Sequence, residues 1–167
     1  TGGGTFGRTV MSEAAKNLVP VTLELGGKSP CIVDADANTT LAARRIIWGK
    51  LMNAGQTCIA PDYLFVHHSI KEELTEKMKG VISEFYGQDL RNSRMYPRII
   101  SEKAFERLSG LLSGPGRIIY GGQADRANRF IEPTFIEEPD PGSPLMQEEI
   151  FGPILPIMTF DDMDEVV

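Results

Sequence analysis

Residues 53–63 read NAGQTCIAPDY and separate a long amphipathic segment from a predicted strand. The amphipathic segment ends at Gly55, and Pro61 follows Cys58 so closely that the chain there cannot continue as a helix. Cys58 is therefore predicted to lie on a turn, where free backbone N–H groups can point at a bound molecule. Such a thiol can act as a nucleophile, or it can be a small buried apolar residue, as most free cysteines are.

Segments with helical and strand periodicity alternate on either side of this turn. Apolar residues keep helical spacing in four segments, which are 6–18, 39–51, 69–85 and 101–112. Strands are predicted for residues 21–25, 29–34, 63–67, 117–120 and 154–160, with an edge or bulged strand around Pro133. We also expect Asn38 or Thr39 to cap the second helix, Trp48 to join the core, and Ser69 with Glu72 to form a capping box.

Length and charge limit the class of function. The chain has 167 residues, which fits one domain of ordinary size, and its net charge of −6 gives no cationic surface for nucleic acid. No apolar run approaches the roughly 20 residues that a membrane span requires. Cys31 and Cys58 make no disulfide framework, which agrees with a reducing, cytoplasmic compartment. The expected partner is a small soluble molecule, and Cys31 is assigned a structural role in its strand.

A glycine cluster opens the chain. Gly2, Gly3, Gly4 and Gly7 precede or begin the first helical segment. This arrangement suits a dinucleotide, because glycines let the backbone approach phosphates or ribose and a helix N-terminus favours anions. A simple flexible turn is the alternative, and on this segment alone it is the more common reason for such glycines.

Glu24 is a candidate general base. It stands at the end of the predicted strand 21–25 and is followed by Gly26 and Gly27, which break the strand and permit close approach of another group. A carboxylate in this position can take a proton from water. An ordinary solvated glutamate is the alternative.

The stretch QEEIFGP, residues 147–153, places Glu148 and Glu149 beside Phe151 on one predicted turn. Such a carboxylate and ring could hold a ribose diol and flank a flat ring. The loop could equally use its phenylalanine only as an anchor to the core. His67 and His68 have no further ligand at metal-site spacing, so the sequence predicts no metal site.

Three motifs occur in a fixed order along the chain. LELGGKSP at residues 23–30, NAGQTCIAPDY at 53–63 and QEEIFGP at 147–153 follow a G-x-x-x-x-G turn from Gly2 to Gly7. Together they resemble the aldehyde dehydrogenase superfamily over almost the whole chain. The versions QTCIAPDY and EEIFGPILP resemble its class-three branch, which includes fatty-aldehyde and aromatic-aldehyde enzymes.

The resemblance implies an NAD- or NADP-dependent oxidation of aldehydes to carboxylic acids through a thiohemiacetal and a thioester. It implies Cys58 as the nucleophile and Glu24 as the carboxylate that activates the deacylating water. It places Glu149 on the nicotinamide ribose and Phe151 beside the ring. The full set of expected cofactor contacts is Gly2, Gly3, Gly4, Thr5, Phe6, Gly7, Leu25, Gly26, Glu149 and Phe151.

The resemblance also implies an α/β fold whose mainly parallel sheet is covered by helices. Residues 1–22 would be the last strand-turn-helix piece of the cofactor-binding domain, and residues 23–167 a catalytic domain incomplete at its C-terminus. We expect a homodimer as the functional form and no turnover from these 167 residues alone. The competing interpretation is a non-catalytic truncated module that serves folding or dimerisation.

Overall fold

The computed structural model describes residues 1–114 and 116–166. The helices are α1 Gly4–Ala15, α2 Thr39–Leu51, α3 Lys71–Tyr86, α4 Glu102–Leu111 and α5 Pro144–Gln147. The strands are β1 Pro30–Val33, β2 Tyr63–His67, β3 Arg117–Tyr120, β4 Ala124–Asp125, β5 Phe130–Ile131, β6 Thr134–Glu137 and β7 Ile154–Phe160. Short 3₁₀ turns occupy Met52–Gly55, His68–Ile70 and Met163–Glu165.

The main sheet has the strand order β1-β2-β7-β6-β3. All neighbours are parallel except β3 and β6, which are antiparallel. β7 is the central strand and β2 lies beside it, with Leu64 opposite Ile157 and both side chains fully buried. β7 is a nearly continuous apolar run because a parallel strand in the middle of a covered sheet is shielded on both faces. The predicted α/β fold with a mainly parallel sheet and flanking helices is confirmed.

Helix α2 leads from β1 to the cysteine turn and packs against α3. The Asn38 side chain caps it by accepting from the Leu41 amide, as predicted. Trp48, however, is 61% exposed, so the expectation that it joins the core is wrong. The buried face of α2 instead runs through Ala43, Ile47 and Lys50. Successive residues of a helix are rotated by about 100°, so Trp48, which follows Ile47, points away from that face.

Lys50 is therefore a charged residue at a core position, with only 1% of its surface exposed. Burial lowers its pKa from the usual 10.5 to about 8; the nearby Asp62 carboxylate opposes that decrease, and Lys28 adds to it. Between about pH 8 and the usual lysine pKa of 10.5, Lys50 is therefore mainly deprotonated in the folded chain and still protonated in the unfolded chain. The stability contributed at this site consequently rises with pH across that window.

We predict that Lys50→Met abolishes this rise. One unit of pKa shift corresponds to about 1.4 kcal/mol, so the free energy of unfolding of the wild type should gain about 3 kcal/mol relative to the variant between about pH 7 and pH 10.5. Urea denaturation of both proteins across this range measures the difference directly. Parallel pH profiles for the two proteins would contradict the prediction.

Two local expectations from the sequence are wrong. Residues 21–25 form no strand, since no neighbouring strand in the described chain offers them ladder partners; the Gly2 amide instead donates to the Glu24 carbonyl at 3.0 Å. The capping box of Ser69 and Glu72 is absent as well. Ser69 lies in a 3₁₀ turn before α3, and its hydroxyl is hydrogen-bonded to His67 Nδ1 at 2.8 Å.

The segment around Pro133 also departs from expectation. It is divided into β5 and β6, and β6 lies between β7 and β3 in the sheet interior rather than at an edge. Pro133 is tolerated because it stands between the two strands, where no ladder donor is needed. The interior position of β6 follows from pairing with β3 and β7, which a single strand pattern does not reveal.

Helix α1 forms where the sequence predicts it, but its apolar side chains do not join the core of the described chain. Phe6 and Met11 are 59% and 51% exposed, and only Gly7 is buried. A side chain at Gly7 would collide with Leu25, so this helix touches the rest of the structure through a glycine. None of the helices within residues 1–114 and 116–166 has the length and apolarity needed to cross a membrane.

Candidate active site

The turn that carries Cys58 has an unusual backbone. Asn53, Ala54 and Gly55 follow α2 with φ of 53°, 54° and 74°, a left-handed stretch that reverses the chain. Gly55 also touches the backbone of Gly152, and a Cβ at Gly55 would collide with the Gly152 carbonyl. Glycine is required there by both the positive φ and the close approach. The contact joins the cysteine motif directly to QEEIFGP.

Gln56 fixes the turn from below. Its buried side chain donates to the Asn53 carbonyl at 2.9 Å and to the Arg98 carbonyl at 3.1 Å, and it accepts from the Ile100 amide at 2.9 Å. A fully bonded buried amide holds its surroundings in one geometry. Cys58, two residues later, is exposed to solvent on this rigid base.

Cys58 lines a cleft with a volume of about 580 Å³. Its lining consists of Thr1, Gly2, Gly3, Leu25, Gly26, Gln56, Thr57, Cys58, Glu149 and Phe151. The predicted nucleophile and six of the predicted cofactor residues thus meet in one place, although they come from both ends and the middle of the chain. Gly4, Thr5, Phe6, Gly7 and Glu24 do not line the cleft.

Glu24 lies beside the cleft, directly before two residues that line it, Leu25 and Gly26. It is exposed, and its carbonyl accepts the Gly2 amide. Its assignment as the base for thioester hydrolysis stays a prediction.

Glu149 faces the glycine pair of LELGGKSP. Its Oε1 accepts from the Gly27 amide at 3.4 Å, and any Cβ at Gly26 would collide with the carboxylate. Phe151 stands two residues further, 40% exposed and with a φ of 50°. The carboxylate can accept hydroxyl hydrogens and the ring can flank a flat heterocycle, so these residues fit the ribose and nicotinamide of a dinucleotide.

The two thiols differ in environment. Cys31 on β1 packs against the core, and burial raises the pKa of its thiol, whereas Cys58 is exposed. Since the thiolate is the reactive form, the raised pKa and the poor access both protect Cys31.

We therefore predict that brief alkylation of the folded protein labels Cys58 in preference to Cys31. Peptide mapping after a limiting dose of iodoacetamide measures the ratio. Complete labelling in denaturant provides the control, because both thiols then react. Preferential modification of Cys31 in the folded protein would refute the assignment.

The structure brings no group of three or more His, Cys, Asp or Glu side chains together at metal-binding geometry within the described ranges. His68 is paired with Asp161, and His67 Nδ1 is hydrogen-bonded to the Ser69 hydroxyl.

Sequence reasoning missed several residues that shape the site. Lys28 and Asp62 form an ion pair between the glycine and cysteine motifs, and Arg107 of α4 donates to the backbone at Glu149. The signal for Lys28 and Asp62 was their place inside the motifs, but charged residues there are usually solvated. Arg107 gave no signal, because its partners lie more than forty residues further along the chain.

Known proteins resemble the chain over its whole length. Residues 1–167 match the model of the Aldehyde dehydrogenase family. The chain belongs to the aldehyde dehydrogenase family. It is 57% identical to aldehyde dehydrogenase family 3 comG of Dictyostelium discoideum over 165 residues. This aligned region covers 99% of the chain and 35% of that protein. It is 49% identical over 167 residues to the dimeric NADP-preferring aldehyde dehydrogenase of Rattus norvegicus, covering 100% of the chain and 37% of the relative.

Solved structures agree with this assignment. The substrate-bound state of Staphylococcus aureus AldH superposes with a TM-score of 0.93 at 48% identity, covering 99% of the chain and 36% of that structure. The resemblance drawn from the three motifs, including the class-three branch, is confirmed. The chain spans about a third of the length of the curated relatives it matches.

Proposed function

We propose that the protein is an NAD- or NADP-dependent aldehyde dehydrogenase and that this chain supplies its nucleophile and part of its cofactor site. The observation that carries the proposal is the single cleft that joins the exposed Cys58 to Gly26, Glu149 and Phe151 in a member of this family. If Cys58 were only a structural cysteine and Glu149 only a solvated loop residue, there would be no reason for them to line the same cleft.

The proposed chemistry begins at Cys58. Its thiolate attacks the aldehyde carbon, and the resulting thiohemiacetal carries an oxyanion that backbone N–H groups of the turn can stabilise. A nicotinamide cofactor bound in the cleft would supply the acceptor for the hydride that this carbon loses. The carbon then remains on Cys58 as a thioester. Glu24 takes a proton from water, and the hydroxide releases the carboxylic acid and frees the thiolate.

The cofactor is proposed to lie along the other side of the cleft. Glu149 would bind the nicotinamide ribose, and Phe151 would flank the ring. Gly2 and Gly3, directly before α1, would contact the cofactor from the other wall of the cleft. In this proposal residues 1–22 belong to the cofactor-binding domain and residues 23–167 to the catalytic domain. The name of the rat relative supports NADP as one candidate cofactor and a dimer as the assembly.

The experiment that tests the proposal uses the protein at its natural full length. The purified protein is mixed with a medium-chain or aromatic aldehyde and either NAD or NADP, and reduction of the cofactor is followed by absorbance. We expect aldehyde-dependent reduction with at least one cofactor. Binding of a dinucleotide without any oxidation would instead support the non-catalytic module, and the absence of both binding and oxidation would refute the proposal.

A further inference from the structure

Charged side chains hold the backbone of residues 148–150. Lys28 Nζ donates to the Glu148 carbonyl at 2.9 Å, and Asp62 Oδ1 accepts from the Ile150 amide at 2.9 Å. Arg107 Nη1 donates to the Glu149 carbonyl at 3.3 Å, and its Nη2 donates to the Ile150 carbonyl. Every one of these bonds has an ionised partner, and such bonds are stronger than neutral ones.

Two of the three side chains are themselves locked. Lys28 and Asp62 form an ion pair, and Lys28 Nζ also donates to the Leu145 carbonyl at 2.9 Å. Asp62 is only 4% exposed, and its amide donates to the Ser29 carbonyl at 2.8 Å. A buried carboxylate whose two oxygens each accept a hydrogen bond holds its partners close to one geometry.

The positions of these residues along the chain give the arrangement its meaning. Lys28 directly follows the glycine pair that meets the Glu149 carboxylate, and Asp62 lies four residues after Cys58. The held segment also leads into Phe151, whose positive φ is a conformation that persists only when its surroundings enforce it. The same bonds therefore connect the nucleophile turn, the glycine pair and the Glu149 loop.

We infer that Lys28, Asp62 and Arg107 are positioning residues that hold the backbone of residues 148–150 so that the Glu149 carboxylate is aimed at a dinucleotide ribose. None of the three lines the cleft, so they act through the backbone rather than on the ligand. The inference rests on the proposed function for its ligand. The backbone contacts themselves do not depend on it.

Arg107 is the best residue for a test because it is exposed, so its replacement should leave the core intact. We compare Arg107→Met with Arg126→Met in the full-length protein. Arg126 is also an exposed arginine that pairs with α4, through Glu102 and Glu106, but it is not among the residues that line the cleft. It therefore controls for the loss of a charged contact to the same helix.

We expect Arg107→Met to raise the KM and the dissociation constant for the dinucleotide about tenfold, which is the typical effect of losing a hydrogen bond to a charged group. The value of kcat at saturating dinucleotide should change much less. Arg107→Lys, which keeps one charged donor, should restore part of the affinity. Arg126→Met should leave affinity unchanged.

Amide hydrogen exchange supplies the second readout. Exchange of the Ile150 amide and its neighbours should accelerate in Arg107→Met, while the denaturation midpoint stays near that of Arg126→Met. If the wild type binds neither NAD nor NADP, the proposed function is wrong. Independently of binding, unchanged amide exchange in Arg107→Met would show that Arg107 does not hold this backbone. If the wild type binds, equal dinucleotide affinity in wild type and Arg107→Met overturns the inference.

Discussion

Replacing Cys58 with alanine is expected to lower kcat/KM for aldehyde oxidation by at least about 10³-fold, because the proposed covalent intermediate forms on the thiolate of Cys58, which lines the cleft. The loss should appear in kcat, whereas the dissociation constant for the dinucleotide should stay near that of the wild type. Cys58 is exposed, so its truncation leaves no cavity in the core. Steady-state kinetics on the full-length protein, combined with a dinucleotide titration, measure both quantities.

The matched control is Cys31→Ala. This residue packs against the core, so the substitution should lower stability, yet activity per folded molecule should persist. A Cys58→Ala protein that keeps more than a small fraction of wild-type turnover would show that the nucleophile lies elsewhere. Loss of activity in Cys31→Ala at a temperature where it is folded would point in the same direction.

Replacing Glu24 with glutamine is expected to slow hydrolysis of the thioester by about 10²-fold or more, the usual contribution of general-base assistance. Acylation of Cys58 does not use this carboxylate in the proposed mechanism. A pre-steady-state burst of NADH or NADPH equal to the enzyme concentration should therefore survive, followed by a much slower steady state. Rapid-mixing absorbance measurements separate the two phases.

Glu13→Gln provides the comparison for Glu24→Gln. Glu13 is an exposed glutamate of α1 whose partner is Lys16, and neither residue lines the cleft. Its substitution should change neither the burst nor the steady-state rate. Disappearance of the burst in Glu24→Gln would place this carboxylate in the acylation step, contrary to the mechanism proposed.

The elements that the sequence predicted well share a local cause. The Asn38 cap, the strand at residues 63–67 and the apolar run of β7 depend on neighbours a few residues away or on continuous apolar composition. The errors came from competition that local patterns do not record. Ser69 fits a capping box in sequence, but in the structure it lies within a 3₁₀ turn and its hydroxyl is hydrogen-bonded to His67 Nδ1.

Helix α2 also shows what a local pattern can and cannot predict. Its periodicity was visible, yet Trp48 faces solvent while Lys50 is buried. Apolar spacing tells which residues can share a helix face, but the surface that packs on the helix decides which face is covered. Asp62, which lies beyond the end of the helix in the chain, provides the nearby opposite charge.

The sequence by itself determined the family, the turn at Cys58 and the identity of most residues in the cleft, because short motifs carry side-chain chemistry and backbone freedom within a few positions. Tertiary structure alone decided that Gly55 touches Gly152, that Gly26 lies against Glu149 and that Arg107 reaches the carbonyl of Glu149. These contacts join residues that are 42 or more positions apart. Such pairings arise from the packing of whole elements, which no local pattern of residue types encodes.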